Sequence, residues 1–313
     1  MLAIVRRRLL VSIPLLFVVS IATFVFQSLV PGDPARTLLG VNATEEQYEA
    51  LRETMHLDDP LFVQYGRYVA GLFDGDLGRS IFTNEDVGTA IADRLPVTLA
   101  LMLGAALLAT LIGVLLGVLS ATRGRVTSRT VDVVSLLGSA LPSFWLGLVL
   151  MSVFAITLGW FPATGYVPFA EAPGQWLTFL VLPIVALALA GIAAIAKVTR
   201  DGMLTALDLD FSRTLRAAGV PERSLVWKHA LRNSSLPIAT MVGLTCANFV
   251  GGTILVESVF ALPGLGSLVV DATNKQDIPV VQGVTLVVTA LVILINLITD
   301  VLYGVLDPKV RVA

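Results

Sequence analysis

Apolar residues in this chain come in six long runs rather than alternating with polar ones. The runs cover 9–30, 95–122, 133–161, 176–196, 236–256 and 278–299, and none contains Lys, Arg, Asp or Glu. A hydrocarbon layer about 30 Å thick is crossed by about 20 helical residues rising 1.5 Å each, so every run is long enough. The pattern predicts an all-α integral membrane protein with six transmembrane helices and excludes a soluble globular domain. Polar residues collect in two long connections. The first, 31–94, predicts a small folded segment outside the membrane between helices one and two. It has a helical stretch at 44–55, apolar residues around 61–73, and turn signals at Pro31-Gly32-Asp33-Pro34 and Asp74-Gly75-Asp76. The second is 197–235. The organisation expected is an N-terminal tail and first span (1–30), the outer segment (31–94), and a core of spans two to six (95–313) with an inner loop at 200–233.

Composition strengthens this picture. The chain is 56% hydrophobic and only 14% charged, against about 25% charged in ordinary soluble domains. The net charge of −2 is less informative than where each sign falls. With the N-terminus inside, inner segments hold 15 Lys and Arg and outer ones 6, so both termini are expected to be cytoplasmic. Five of those six lie in 31–94 among twelve acids. The first run follows Arg6, Arg7 and Arg8 and spans 22 residues, longer than the roughly 7–15 of a signal peptide core. A retained signal-anchor helix is expected. Cys246 is the single cysteine, so no intrachain disulfide forms, and its apolar surroundings suit a buried small residue. His56 and His229 fall on opposite sides of the membrane, so no metal site is expected.

The spans offer little for chemistry of their own. They carry neutral polar groups such as Gln27, Asn248 and Asn296, which gives a proton relay or voltage sensor nothing to work with. None of Lys197, Lys228, Lys275 or Lys309 sits in a phosphate-binding loop. If the protein pumps a solute, another subunit supplies the energy. No converging set of His, Asp, Glu or Ser points to a membrane enzyme, and no catalytic group, metal or cofactor is expected on this chain. No nucleic-acid partner is expected either.

The inner segment is the most patterned polar stretch. Asp208 or Asp210 can cap a helix, and Phe211, Leu215 and Ala218 fall at i, i+4 and i+7 on one stripe, with Arg213 and Arg216 elsewhere. Gly219 suits a helix C′ position and Pro221 the first turn of a new helix, which Leu225, Val226 and His229 continue. Two short helices meeting at a glycine bend can present a knob to a partner. An ordinary basic loop lying against lipid headgroups fits the pattern equally well.

Arg213-Thr214-Leu215-Arg216-Ala217-Ala218-Gly219, followed by Lys228-His229-Ala230-Leu231-Arg232-Asn233, resembles the cytoplasmic loop of ATP-binding-cassette importer permeases of the dipeptide, oligopeptide and nickel permease family. Members commonly have Ala at the place of Leu215 and Lys at that of Ala218. The general importer motif begins Glu-Ala-Ala and ends Leu-Pro, where this chain has Arg213-Thr214-Leu215 and Leu231-Arg232; these departures fit the peptide-type branch. Pro31-Gly32-Asp33-Pro34, Gly75-Asp76-Leu77-Gly78-Arg79-Ser80, Phe260 to Gly266 with Asp277, Pro279 and Gly283, and Leu306-Asp307-Pro308-Lys309-Val310-Arg311 are similar to that family in the same order.

The resemblance implies a permease subunit in a bacterial inner membrane, forming half of a translocation path for di- or oligopeptides, with nickel or another small solute as the alternative. It implies a second homologous permease subunit, two ATP-binding subunits carrying ATP and Mg, an extracytoplasmic solute-binding protein, and surrounding lipid. Phe211, Arg213, Thr214, Arg216, Ala217, Ala218 and Gly219 would dock in a groove of the ATPase. An ATP-independent secondary transporter or channel is the competing class. Elsewhere, Gly104, Gly113, Gly117, Gly243, Gly251 and Gly252 suit close helix packing, and Pro142 and Pro183 are expected to kink their helices. Asn248 faces either the path or a neighbouring helix. The turn at Pro263, Gly264 and Gly266 belongs to an outer gate, a binding-protein contact or a plain re-entrant turn.

Overall fold

A computed structural model describes residues 2–29, 32–40, 43–123, 132–133, 138 and 140–306. Pro31, Arg125, Arg129, most of 134–139 and the 307–311 motif lie outside the described residues. Regular structure among the described residues is helical, apart from an isolated β-bridge between Arg79 and Asp86. The elements are α1 (Leu2–Leu29), α2 (Pro34–Leu39), α3 (Glu45–Thr54), α4 (Leu61–Phe73), α5 (Val87–Thr122) and α6 (Ser143–Leu150). They continue with α7 (Pro173–Asp208), α8 (Asp210–Ala217), α9 (Glu222–Ser224), α10 (Ser235–Phe260), α11 (Leu265–Lys275) and α12 (Ile278–Leu306). Wider π-helical turns extend α6 through Met151–Thr157 and α9 through Leu225–Ala230, after which Leu231–Asn233 closes the segment.

Five described helices are long and apolar enough to cross a membrane: Leu10–Leu29, Val87–Thr122, Pro173–Asp208, Ser235–Phe260 and Ile278–Val305. The third run departs from the expected single helix over 133–161. Residues 133, 138 and 140 are helical, and after Pro142 the helix Ser143–Thr157 is by itself shorter than a span. Pro142 stands before it in extended backbone at φ −63° and ψ 140°. Proline lacks an N–H and disfavours helix in the residue before it, so the expected kink is a break. Pro183 is instead buried inside α7, which continues past it. That helix also runs twelve residues beyond the apolar run at 176–196, so the charged stretch expected to open the inner loop is its last three turns.

Two compact units are formed. One comprises 2–6, 99–262 and 294–306. Its centre is α7, whose Leu180, Pro183, Leu187, Gly191, Ile195 and Thr199 are buried at helical spacing. The α5 glycines allow their helix to approach it closely. A Cβ on Gly104 would lie 2.5 Å from Ile184, on Gly113 2.8 Å from Ile195, and on Gly117 2.6 Å from the Ala196 carbonyl. On the α10 side, a Cβ on Gly252 would meet Leu187 at 2.7 Å and one on Gly243 would meet Thr299 at 2.4 Å. Gly251 has nothing within 4 Å. Small residues here serve contact between helices, with Gly251 the exception.

The other unit comprises Arg7–Thr98 and Pro263–Ile293. Val87 and Ile91 of α5, Leu265 and Ala272 of α11, and Val280 and Val284 of α12 form its apolar core. Asp277, 4% exposed, ties the 78–86 turn to the start of α12. Its carboxylate accepts from the Ser80 hydroxyl and, at 3.2 Å, from the Ile81 N–H, while its carbonyl accepts from the Val281 N–H at 3.1 Å.

Asp33 organises α2 and α3. Its carboxylate caps α2 through the Ala35 N–H at 2.8 Å and accepts from the Tyr48 hydroxyl and the Arg52 guanidinium. Burial pushes this carboxyl up, but the Tyr48 hydroxyl, the Ala35 and Arg36 N–H groups and the Arg52 charge outweigh it and hold it below the ordinary carboxylate value. A depressed carboxylate contributes stability above its unfolded value near pH 3.9, and the contribution is lost as pH falls through the folded value. Asp33→Asn is therefore expected to cost about 1–2 kcal/mol at neutral pH, seen as faster amide exchange across α2 and α3. The gap to wild type should close on acidification. Equal exchange in the two proteins at pH 7 would show that the network does not hold the segment.

Candidate functional site

The inner segment folds as a compact knob on the ends of α5 and α7. Val118, Met203, Ala206 and Ala230 are buried together, with Phe211, Val226 and Leu231 packed against them. Leu209 turns the chain at φ −67° and ψ 152°, ending α7 and starting α8. Asp210 lies in the first turn of α8 and Arg216 in the last, each favourable to the helix dipole. The inward face carries Phe211, Ser212 and Leu215. Ser212 is the most buried of the three at 0% exposed, and its hydroxyl donates to the Ala206 carbonyl at 2.9 Å. Ala218, expected on this apolar stripe, is instead exposed, because α8 stops at Ala217 and Ala218 becomes its cap.

Gly219 makes the bend. Its φ is +77°, its N–H donates to the Arg216 carbonyl at 3.0 Å, and the Val220 N–H donates to the Leu215 carbonyl at 3.1 Å. These two bonds are the Schellman closure of a helix with glycine at C′. Pro221 then precedes α9 as its cap, and Leu225 and Ala230 are fully buried beneath it. Arg216 Nε donates to Glu222 Oε1 at 2.7 Å. That pair braces the two sides of the bend, so Arg216 is already engaged inside the loop. Arg213 lies 3.7 Å from both Asp208 and Asp210 and is 69% exposed. The Thr214 hydroxyl donates to the Asp210 carbonyl at 3.0 Å. Arg213, Thr214, Arg216, Ala217, Ala218 and Gly219 form one continuous exposed surface with small residues at its tip, while Phe211 anchors it from below.

The remaining candidates lie elsewhere. Asn248 is exposed on α10, in line at helical spacing with exposed Leu244, Gly251, Leu255 and Ser258, whereas Thr245, Phe249, Thr253 and Val256 face inward. Gly264 and Gly266 are buried and Pro263 half-buried. The Leu265 N–H between the glycines donates to the Thr98 hydroxyl at 2.9 Å, so this turn is tied into its own unit. Glu257 was missed by sequence reasoning. It follows the fifth apolar run directly, but α10 continues to Phe260 and buries Glu257 at 0% exposed.

Comparison with known proteins adds a family. The model described as binding-protein-dependent transport system inner membrane component matches residues 113–312. A second, described as "Binding-prot-dependent transport system membrane comp, N-term", matches residues 1–102. A putative peptide transport system permease protein of Brucella abortus (strain 2308) is 42% identical over 99% of both chains. The oligopeptide transport system permease protein AppB of Bacillus subtilis (strain 168) is 38% identical over 99% of this chain and 100% of its own. Among solved structures, a chain of the MetNI methionine ABC transporter in inward facing conformations has a TM-score of 0.54 at 18% identity. It covers 69% of this chain and 96% of its own length, a likeness of fold.

Proposed function

We propose, since this chain belongs to the family of binding-protein-dependent transport system inner membrane components, that it forms half of a translocation path for short peptides and is driven by ATPase subunits docking on the 211–219 knob. The chain is a membrane-embedded ABC importer permease subunit, a class in which ATP hydrolysis resides on partner subunits. Peptide as the solute is supported by the names of both relatives above.

The observation that carries the coupling role is the exposed surface from Arg213 to Gly219, closed by the glycine bend and rooted in the ends of α5 and α7. Movement of a knob so rooted would be passed to two long helices. Phe211 holds it down, Arg213 and Thr214 flank it, and Ala217, Ala218 and Gly219 keep the tip narrow enough for a groove. Arg216 contributes by bracing the bend against Glu222. Asn248 and Gly251 would face the path or the second permease subunit, because polar and small groups exposed on an apolar helix suit neither lipid nor the packed side of α10. Pro263, Gly264 and Gly266 would act at an outer gate through the packing of α11, since the glycines are buried.

The architecture proposed has six spans, with Ser143–Thr157 belonging to the third. Both termini lie inside, and 31–94 forms an outer segment beside a core at 95–313. A second, homologous permease, two ATP-binding subunits and an extracytoplasmic binding protein complete the assembly. Expression with the native partners and purification in mild detergent tests this composition. An ATP-binding subunit and a second permease are expected to come down with the chain. Recovery of the chain alone, with solute flux in vesicles that needs no ATP, would point to a channel or secondary transporter.

A further inference from the structure

Within the unit formed by Arg7–Thr98 and Pro263–Ile293, a cleft of about 280 Å³ opens between Phe24 of α1, Met55, Tyr68 of α4, Ile81, and Ile278 and Gln282 of α12. Gln282 is 0% exposed, and neither its Nε2 nor its Oε1 has a hydrogen-bond partner among the described residues. The Tyr68 hydroxyl, on the same cleft, is likewise buried without one. Buried polar groups in native proteins are nearly always satisfied, and each orphan costs about 1–3 kcal/mol. Three such atoms belong to two residues that line one cleft, and a ligand whose polar groups reached them would satisfy all three.

The chemistry of that ligand follows from the donors and walls. A carboxamide offers one acceptor oxygen and two N–H donors, which match the N–H and C=O of another amide. Burial, and then the neighbouring Tyr65, push the Tyr68 hydroxyl well above its ordinary value, so it remains neutral and can both donate and accept. The polar groups at the rim are already engaged: Arg67 pairs with Asp59, and His56 Nδ1 lies 3.8 Å from the same carboxylate. Apolar walls and engaged charges select against a free terminus or a charged side chain. The volume is at the small end for ligand pockets, which begin at about 300 Å³, and fits one residue rather than several.

We propose that this cleft binds a neutral internal peptide group bearing one apolar side chain, held by the Gln282 carboxamide and the Tyr68 hydroxyl. The source is a free short peptide, which rests on the transport function proposed above; a loop of a docked protein would offer the same group.

The test uses the full chain purified into lipid nanodiscs, with N-acetyl-photoleucine methylamide as the probe and mass spectrometry to locate the label. Saturable labelling near Met55, Tyr68 or Gln282 is expected, and N-acetyl-leucine methylamide should compete it away. Gln282→Leu and Tyr68→Phe are each expected to weaken apparent affinity about tenfold. Tyr68→Phe removes one oxygen and keeps the ring, so it remains informative if Gln282→Leu fails to fold. Competition by an unlabelled free tripeptide assigns the cleft to a small peptide, whereas competition by the binding protein alone assigns it to a docked loop. Labelling that does not saturate, or that ignores both substitutions, would mean that the cleft holds ordered water only and would overturn the proposal. The readout involves no ATPase, so failure here leaves the permease function untouched.

Discussion

Gly219→Asp is expected to leave the chain folded and inserted while abolishing transport. At φ +77° a side chain is strained, but the position has nothing within 4 Å of an added Cβ. The conformational cost is about 1–2 kcal/mol and least for Asn or Asp. The two closing bonds at Gly219 and Val220 come from main-chain N–H groups, which aspartate retains. What changes is the exposed tip, which gains a carboxylate where, on the docking proposed above, a partner groove would close. Losing a central contact of that kind typically costs 2 kcal/mol or more, about thirtyfold in affinity. Uptake should fall to background with membrane levels of the chain near wild type. Arg216→Glu should act in the same direction through a different cause, since it places a second carboxylate against Glu222 and opens the brace. Wild-type uptake by either variant would remove the knob from the coupling path.

Gly117→Val is expected to destabilise the fold strongly by forcing α5 and α7 apart. The added Cβ would sit 2.6 Å from the Ala196 carbonyl and 2.5 Å from the Thr199 Cβ. A backbone oxygen cannot swing aside like the end of a long side chain, so α5 and α7 must separate. Overpacking alone costs about 1–3 kcal/mol, and separation also opens the contacts of Gly113 with Ile195 and of Gly104 with Ile184. The total exceeds about 3 kcal/mol, a large share of the roughly 5–15 kcal/mol by which folded domains are stable. Thermal denaturation in detergent should show a transition clearly below that of wild type. Gly251→Ala is the control, because nothing lies within 4 Å of that position, and in a helix interior alanine should gain about 1 kcal/mol. A Gly117→Val protein that melts like wild type would contradict the packing.

Local features were the most legible in the sequence. The glycine bend could be read at Gly219 because a C′ glycine followed by proline is a pattern within a few residues, and the structure has that geometry. Runs of apolar residues gave the long helices for a similarly local reason. Features depending on distant residues were not readable. Ser212 looks like a solvated helix residue until the Ala206 carbonyl is beneath it. Arg216 looks free until the bend brings Glu222 within 2.7 Å. Charge also misled: Lys197, Arg200 and Asp201 resembled the start of a loop, yet they ride on α7 because a helix need not end where its apolar run does. The same error hid Glu257, one residue past an apolar run but inside α10. Gln282 stood unremarked in the last run, since one neutral polar residue in a span carries no signal until both ends of its amide prove unpartnered.

On the function proposed above, this chain carries peptide across a membrane only when ATPase subunits act on its 211–219 knob. Accumulation of a labelled short peptide by proteoliposomes containing the chain, its permease partner, the ATP-binding subunits and the binding protein tests this. Accumulation should require ATP and should vanish with Gly219→Asp. Accumulation that continues without ATP, or that is unchanged by the substitution, would contradict it.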